Sequence, residues 1–150
     1  MGLDMYLYAE RYVWSEEKER SEILKVLKVD KEVVGEIVGL RVQLPVGYWR
    51  KANSIHNWFV ENVQEGVDDC KEYRVTTLHL DKLRDTCKTA IASKQPNHLP
   101  AIEGFFFGST EYDDTYWQTL KRTVKIMDNC LALSAREDMR SPNFSYRASW

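Results

Sequence analysis

Among the residues whose type and spacing could carry chemistry, His56 comes first, because an imidazole with an ordinary pKa of about 6.5 can act as base, ligand or orienting donor near neutral pH. Just ahead of it, Trp49-Arg50-Lys51-Ala52-Asn53 supplies two cations and an amide, with Tyr48 and Trp58 close by. If these residues open a helix, the free N–H groups and the dipole there favour a phosphate. Asp68 and Asp69, beside Cys70, could partner His56 as acid and base, and Glu111 is a third carboxylate for that role. The Gly-Val-Asp-Asp-Cys string lacks the ligand spacing of a calcium loop. A zinc set drawn from His56, Cys70, His79 and Asp69 lacks the usual paired spacings, so neither a metal nor a cofactor is expected. Ser109, Thr110, Glu111 and Tyr112 add hydroxyls, a carboxylate and an aromatic at one junction. Each feature also has a plainer reading. His56 can be a core histidine bonded to a carbonyl or a tyrosine hydroxyl, the basic run an exposed turn, and the aspartates a solvated turn. Ser109 or Thr110 can simply cap a helix whose dipole Glu111, Asp113 and Asp114 complement. There is no Gly-rich phosphate loop, G-x-S-x-G elbow, HExxH or RNA-binding aromatic signature.

The elements that must position these groups follow from periodicity. At about 100° per residue, the stretch 45–64 gathers Tyr48, Trp49, Ala52, Ile55, Phe59, Val60 and Val63 on one face. Arg50, Lys51, Ser54, Asn57, Glu61 and Gln64 lie opposite, and Trp58 falls off the apolar side. This predicts a central helix begun by Pro45 and ended at Gly66, with His56 inside its apolar sector. Residues 3–13 alternate Leu3, Met5, Leu7 and Ala9 with Tyr6, Tyr8 and Tyr12, as a strand does. A short surface helix follows, capped by Ser15 with Glu16 and Glu17 in its first turn. Residues 29–44 are ambiguous, since Val33, Val34, Ile37 and Val38 suit a helix while Gly39 to Leu44 alternate as a strand. A short strand is expected over 72–76, then a helix capped by Thr76 or Thr77 with Leu80, Leu83, Cys87, Ala90 and Ile91 on one face. The polar, proline-bearing connection 93–100 and a buried aromatic edge at 105–107 lead to a last helix with Tyr116, Leu120, Val124, Met127, Cys130 and Leu131 inward. Residues 144–150 alternate as a final strand.

Strands at both ends with helices between them predict a single α+β domain over 1–150: a small, mostly antiparallel sheet including both termini, faced by two or three long helices. A chain of 150 residues, 43% hydrophobic and 12% aromatic, is long enough to bury a core unaided. The formal charge of −2 provides no field that would draw it to nucleic acid or an anionic membrane. Cys70, Cys87 and Cys130 are odd in number and never form C-x-x-C, which argues against a disulfide framework and for a reducing compartment; they read as buried or half-buried thiols. No membrane span or anchor is expected.

The strings Met-Gly-Leu-Asp-Met-Tyr-Leu-Tyr at the start, Gly47-Tyr-Trp-Arg-Lys-Ala-Asn-Ser-Ile-His-Asn-Trp-Phe-Val60, Gly66-Val-Asp-Asp-Cys70 and Gly104-Phe-Phe-Phe-Gly-Ser-Thr-Glu-Tyr-Asp113 resemble a family of small proteins of unknown function encoded mainly by phages and prophages. The resemblance covers the chain except about 15–43. It implies the host bacterial cytoplasm and an accessory, counter-defence kind of role, and brings no catalytic residues with it. The functional expectation is therefore a binding protein, whose partner is a host protein or a nucleotide-like small molecule. Its ligand-binding residues would be Arg50, Lys51, Asn53, His56, Trp58, Ser109, Thr110, Glu111 and Tyr112. The enzyme alternative is a small hydrolase or nucleotide-processing enzyme using His56 with Asp68, Asp69 or Glu111. A homo-oligomer is compatible with either.

Overall fold

The computed structural model describes residues 2–14, 18–29, 38–104, 107–136 and 141–150. Its elements are β1 (Asp4–Trp14), α1 (Lys18–Val26), β2 (Gly39–Arg50), α2 (Asn53–Asn62), β3 (Tyr73–Val75), α3 (Thr77–Ser93), a 3-10 turn at Pro96–His98, α4 (Asp114–Ser134) and β4 (Asn143–Ser149). The four strands form one antiparallel sheet in the order β2-β1-β4-β3. Both end strands lie in it, side by side, as the alternation of 3–13 and 144–150 predicts, and the fold is α+β.

The period of two in β1 divides the sheet. Leu3, Met5, Leu7 and Ala9 are buried, and the register sets Met5 opposite Ala148, Leu7 opposite Tyr146 and Ala9 opposite Phe144. These residues join Ile55 and Phe59 of α2, Leu80, Leu83, Cys87 and Ala90 of α3, and Leu120, Ile126, Met127 and Cys130 of α4 in one core. The other parity of β1 brings Tyr6 against Tyr48 and Arg147, and makes an opposite, tyrosine-rich face. At Gly47 the sheet meets α4 so closely that a Cβ would come 2.9 Å from the Trp49 ring and 3.0 Å from Ile126. Trp49, which is 2% exposed, donates its indole N–H to Thr123 Oγ1 at 2.9 Å, which removes the cost of burying that donor.

The central helix is shorter than its wheel suggested. Residues 45–50 belong to β2, and the helix covers only Asn53–Asn62. Pro45 is therefore not a first helical residue. It sits on the edge strand, paired with Tyr8 beside the register shift between Leu7 and Tyr8, the kind of edge or bulge position where a residue without an N–H is tolerated. Seven of the ten residues of α2 are buried, including Ser54 and Trp58, so the expected wet back narrows within the helix to a half-buried Asn57 and an exposed Glu61, while Ser54 and Gln64 are buried. Val63 is only partly buried against the core. At its far end Gly66 behaves as expected, with φ +78° and its N–H bonded to the Val60 carbonyl at 2.9 Å.

Thr76 caps α3 through a reciprocal pair of bonds. Its hydroxyl accepts from the His79 N–H and its own N–H donates to His79 Nδ1, both at 3.3 Å. Thr76→Ala is expected to lower stability by about 1 kcal/mol in urea unfolding. The start of α4 is different from expectation: Asp113, not Ser109 or Thr110, is its cap, accepting from the Tyr116 N–H at 3.0 Å. The Ser109 hydroxyl instead accepts from the Glu111 N–H at 3.0 Å, closing a local turn. Phe107 is buried at a bend rather than in a strand, and the expectations for Ser15, Val33, Val34, Ile37 and residues 105–106 fall outside the described residues. Cys70 is exposed while Cys87 and Cys130 are buried, their thiols pushed up by burial to about 12 and about 11. No described helix is long and apolar enough to cross a membrane.

Candidate functional site

Two helix starts meet around one cavity. β2 ends at Arg50, the chain turns through Lys51 in the left-handed region at φ +55°, and α2 begins with Ala52 at its N-cap position and no side chain capping it. The Lys51 N–H is held by the Leu3 carbonyl at 2.7 Å, which ties the turn to the sheet. Opposite, the loop that leads to α4 closes on the same turn. Gly108 has φ +90°, and a Cβ there would lie 2.8 Å from Lys51 Cβ and 3.2 Å from its carbonyl oxygen, so only glycine allows the approach.

Asn53 fastens this loop. Its buried amide donates to the carbonyls of Phe107 at 3.2 Å and Ser109 at 2.8 Å, and its oxygen accepts from the Ile102 N–H at 3.3 Å. A sequence reading makes Asn53 a ligand contact; in the fold its polar atoms are engaged by backbone, and it shapes the cleft.

The resulting cavity is about 400 Å³ and is lined by Arg50, Lys51, Ala52, Asn53, Ser54, Gly108, Ser109, Glu111, Asp113, Thr115, Tyr116 and Thr119. Its charge is divided. Arg50 and Lys51 stand at the α2 side, Glu111 and Asp113 at the α4 side, where Asp113 already satisfies the helix end. The Arg50 side chain is 61% exposed and only 4.0 Å from Asp4 Oδ1, a screened pair that leaves its donors open to a ligand. Ser54 is 4% exposed, and its hydroxyl has no hydrogen-bond partner among the described residues.

The sequence candidates separate accordingly. Arg50, Lys51, Asn53, Ser109 and Glu111 come together at the cleft. Thr110 is exposed on the same loop without lining it. Tyr112 turns away, its ring 5.0 Å from Tyr116 and its hydroxyl accepting from the Ala101 N–H at 3.3 Å. Trp58, expected off the apolar face as a platform for a base, is 6% exposed and packs edge-on against Phe59; it cannot stack on a ligand. Ser54, Asp113, Thr115 and Thr119 were not singled out as ligand contacts. Asp113 was visible as a helix-start acid, while Ser54 gave no signal until the start of α2 was known.

His56 does not line the cleft. It is fully buried, with Nδ1 2.8 Å from the Tyr146 hydroxyl and Nε2 3.0 Å from Asp68 Oδ1. Because Asp68 can only accept when ionised, Nε2 carries the proton and Nδ1 accepts from Tyr146. Burial holds the His56 pKa below its ordinary 6.5, against the opposing pull of the Asp68 carboxylate. Phe107 and Trp150 close around the ring at 5.1 and 5.6 Å. With both nitrogens engaged and no exposed atom, this is a clasp joining α2, the 66–70 loop and β4. Asp69 pairs with Lys71 at 2.8 Å, and that bond keeps its carboxyl below the usual carboxylate range. Among the described residues no group of three or more His, Cys, Asp or Glu is arranged to hold a metal ion. Comparison of the chain with protein-family models, with curated proteins and with solved structures finds no match.

Proposed function

We propose that the chain is a small accessory protein of phage or prophage origin that works in the host cytoplasm by binding, and that the cleft between α2 and α4 takes a nucleotide-like anionic molecule. The observation that carries this reading is the position of Arg50 and Lys51 at an uncapped helix start on the wall of a cavity of about 400 Å³. That size lies within the usual range for small-molecule sites, roughly 300–1,000 Å³. Free N–H groups, a helix dipole and two cations all favour an anion at one place.

The host-protein reading draws on a different surface. Tyr6 stacks with Tyr8 at 5.8 Å and packs against Tyr48 at 5.1 Å, while Tyr12 and Trp14 are 42% and 53% exposed. Aromatics of this kind are enriched at protein interfaces. The hydrolase reading needs His56 to reach a substrate, and a fully buried ring with both nitrogens bonded supports a structural part instead.

Calorimetry with a panel of linear and cyclic nucleotides tests the cleft. Heat is expected from at least one ligand with the native chain, and Arg50→Ala is expected to weaken it by about tenfold or more, the loss of one charge-assisted bond. No heat from any ligand, with a protein partner recovered from infected lysate instead, would move the function to the tyrosine face.

A further inference from the structure

The two walls of the cleft differ in a way that restricts what can bind, and the restriction rests on the reading of the cleft as an anion site. Both face a helix start, but the α4 start is already satisfied, with Asp113 accepting from the Tyr116 N–H and Glu111 beside it. A second anionic group on that side would meet two carboxylates. The α2 start has no capping side chain, is preceded by Arg50 and Lys51, and carries Ser54. The Ser54 side chain is an independent sign of a ligand. It is 4% exposed, lines the cleft, and has no hydrogen-bond partner among the described residues. Its hydroxyl is not among the sealed unpartnered atoms of the described residues, so the little surface it has opens on the cleft, where a bound oxygen would give it a partner.

We infer that the cleft holds a terminal phosphate monoester, its phosphate on Arg50, Lys51, Ser54 and the first N–H groups of α2, and its hydroxyl or amine donors turned to Glu111. A monoester fits because it brings three free oxygens and close to two negative charges at neutral pH, matching two cations and a helix end. A diester has one charge and two free oxygens and leaves part of this set unmatched. Polyphosphates would extend the negative charge toward Glu111 and Asp113. A nucleoside or sugar monophosphate satisfies both walls, since carboxylates accept from vicinal hydroxyls or an exocyclic amine.

The test is calorimetry on the full chain with inorganic phosphate, adenosine 5′-monophosphate, adenosine 3′,5′-cyclic monophosphate and adenosine 5′-triphosphate. The monophosphate is expected to bind at least about tenfold tighter than the cyclic diester or the triphosphate, one charge-assisted contact being worth about that factor. Ser54→Ala, which removes only an oxygen, should weaken both the monophosphate and inorganic phosphate. Glu111→Gln should weaken the monophosphate and leave inorganic phosphate unchanged. If the cyclic diester or the triphosphate binds as tightly as the monophosphate, and Arg50→Ala still weakens them, the cleft is an anion site but the monoester assignment is overturned. If monophosphate binding is indifferent to Arg50→Ala and Ser54→Ala, or no probe binds, both the assignment and the anion reading of the cleft fall.

Discussion

Phe59→Ala is expected to lower the stability of the chain by about 3–5 kcal/mol, the usual cost of deleting a fully buried phenylalanine. Phe59 has no exposed surface, and its ring lies parallel to Tyr146 at 3.9 Å and tilted against Trp49 at 6.1 Å. It therefore packs at the junction of α2 with β2 and β4. Tyr146 is itself fully buried and bonded to His56, so collapse of the cavity would pull on a hydrogen-bonded clasp. Urea unfolding at neutral pH measures the loss directly. A change below about 1 kcal/mol, far under the range for a core phenylalanine, would mean that α2 is peripheral.

Stability is expected to fall as pH drops below about 6.5, and the His56 clasp is the reason. The folded protein holds His56 below its ordinary pKa through burial, so the unfolded chain takes up the proton first. The unfolded state then binds more protons than the folded one, and stability rises with pH across that interval. The contribution is fully present above the unfolded pKa and is lost as pH falls toward the lower folded value. His79 is also held low, by burial and by Lys82, and adds to the same slope; His56→Gln should therefore flatten the profile and His79→Gln should flatten it independently. Asp68→Ala should cost about 1–3 kcal/mol at pH 8 because it strands the buried Nε2–H without an acceptor. Thermal or urea unfolding between pH 5 and 8 reads both effects. A wild-type profile that is flat through this range would contradict the assignment of a neutral, buried His56.

Most of the framework is legible in the chain because it follows from period. The alternation of Leu3, Met5 and Leu7 marks a strand with one buried face, and Leu80, Leu83 and Cys87 mark a helix with one buried stripe. The misreading of 45–52 has a physical source. Tyr48 and Trp49 are adjacent large aromatics, and such a pair suits a helix sector as well as a strand that buries Trp49 and half-exposes Tyr48. Pro45 is likewise compatible with a helix start and with a sheet edge, and only the partner strand decides between them. Once 45–50 is placed in β2, the helix start moves to Asn53, Ser54 becomes a first-turn residue, and Trp58 falls on the buried part of α2. His56 was readable as a residue on an apolar face, and the plainer expectation of a bond to a buried tyrosine hydroxyl is what the fold contains. The convergence of Arg50 and Lys51 with Ser109 and Glu111 depends on the path of residues 107–113, a stretch with no periodicity to read. Asn53 holds that stretch and the chain before it by bonds to the backbone of Ile102, Phe107 and Ser109, beside the bond from the Tyr116 hydroxyl to the Leu99 carbonyl, and these contacts are invisible until the pieces are neighbours.

The most direct test of the cleft is a titration of the ¹⁵N-labelled chain with adenosine 5′-monophosphate followed through its amide resonances. The largest shifts are expected on residues 51–55 and 108–111, where the uncapped helix start and the opposing loop meet. Shifts centred on the tyrosine-bearing strands β1 and β2, or no shifts at saturating ligand, would contradict a ligand site in the cleft.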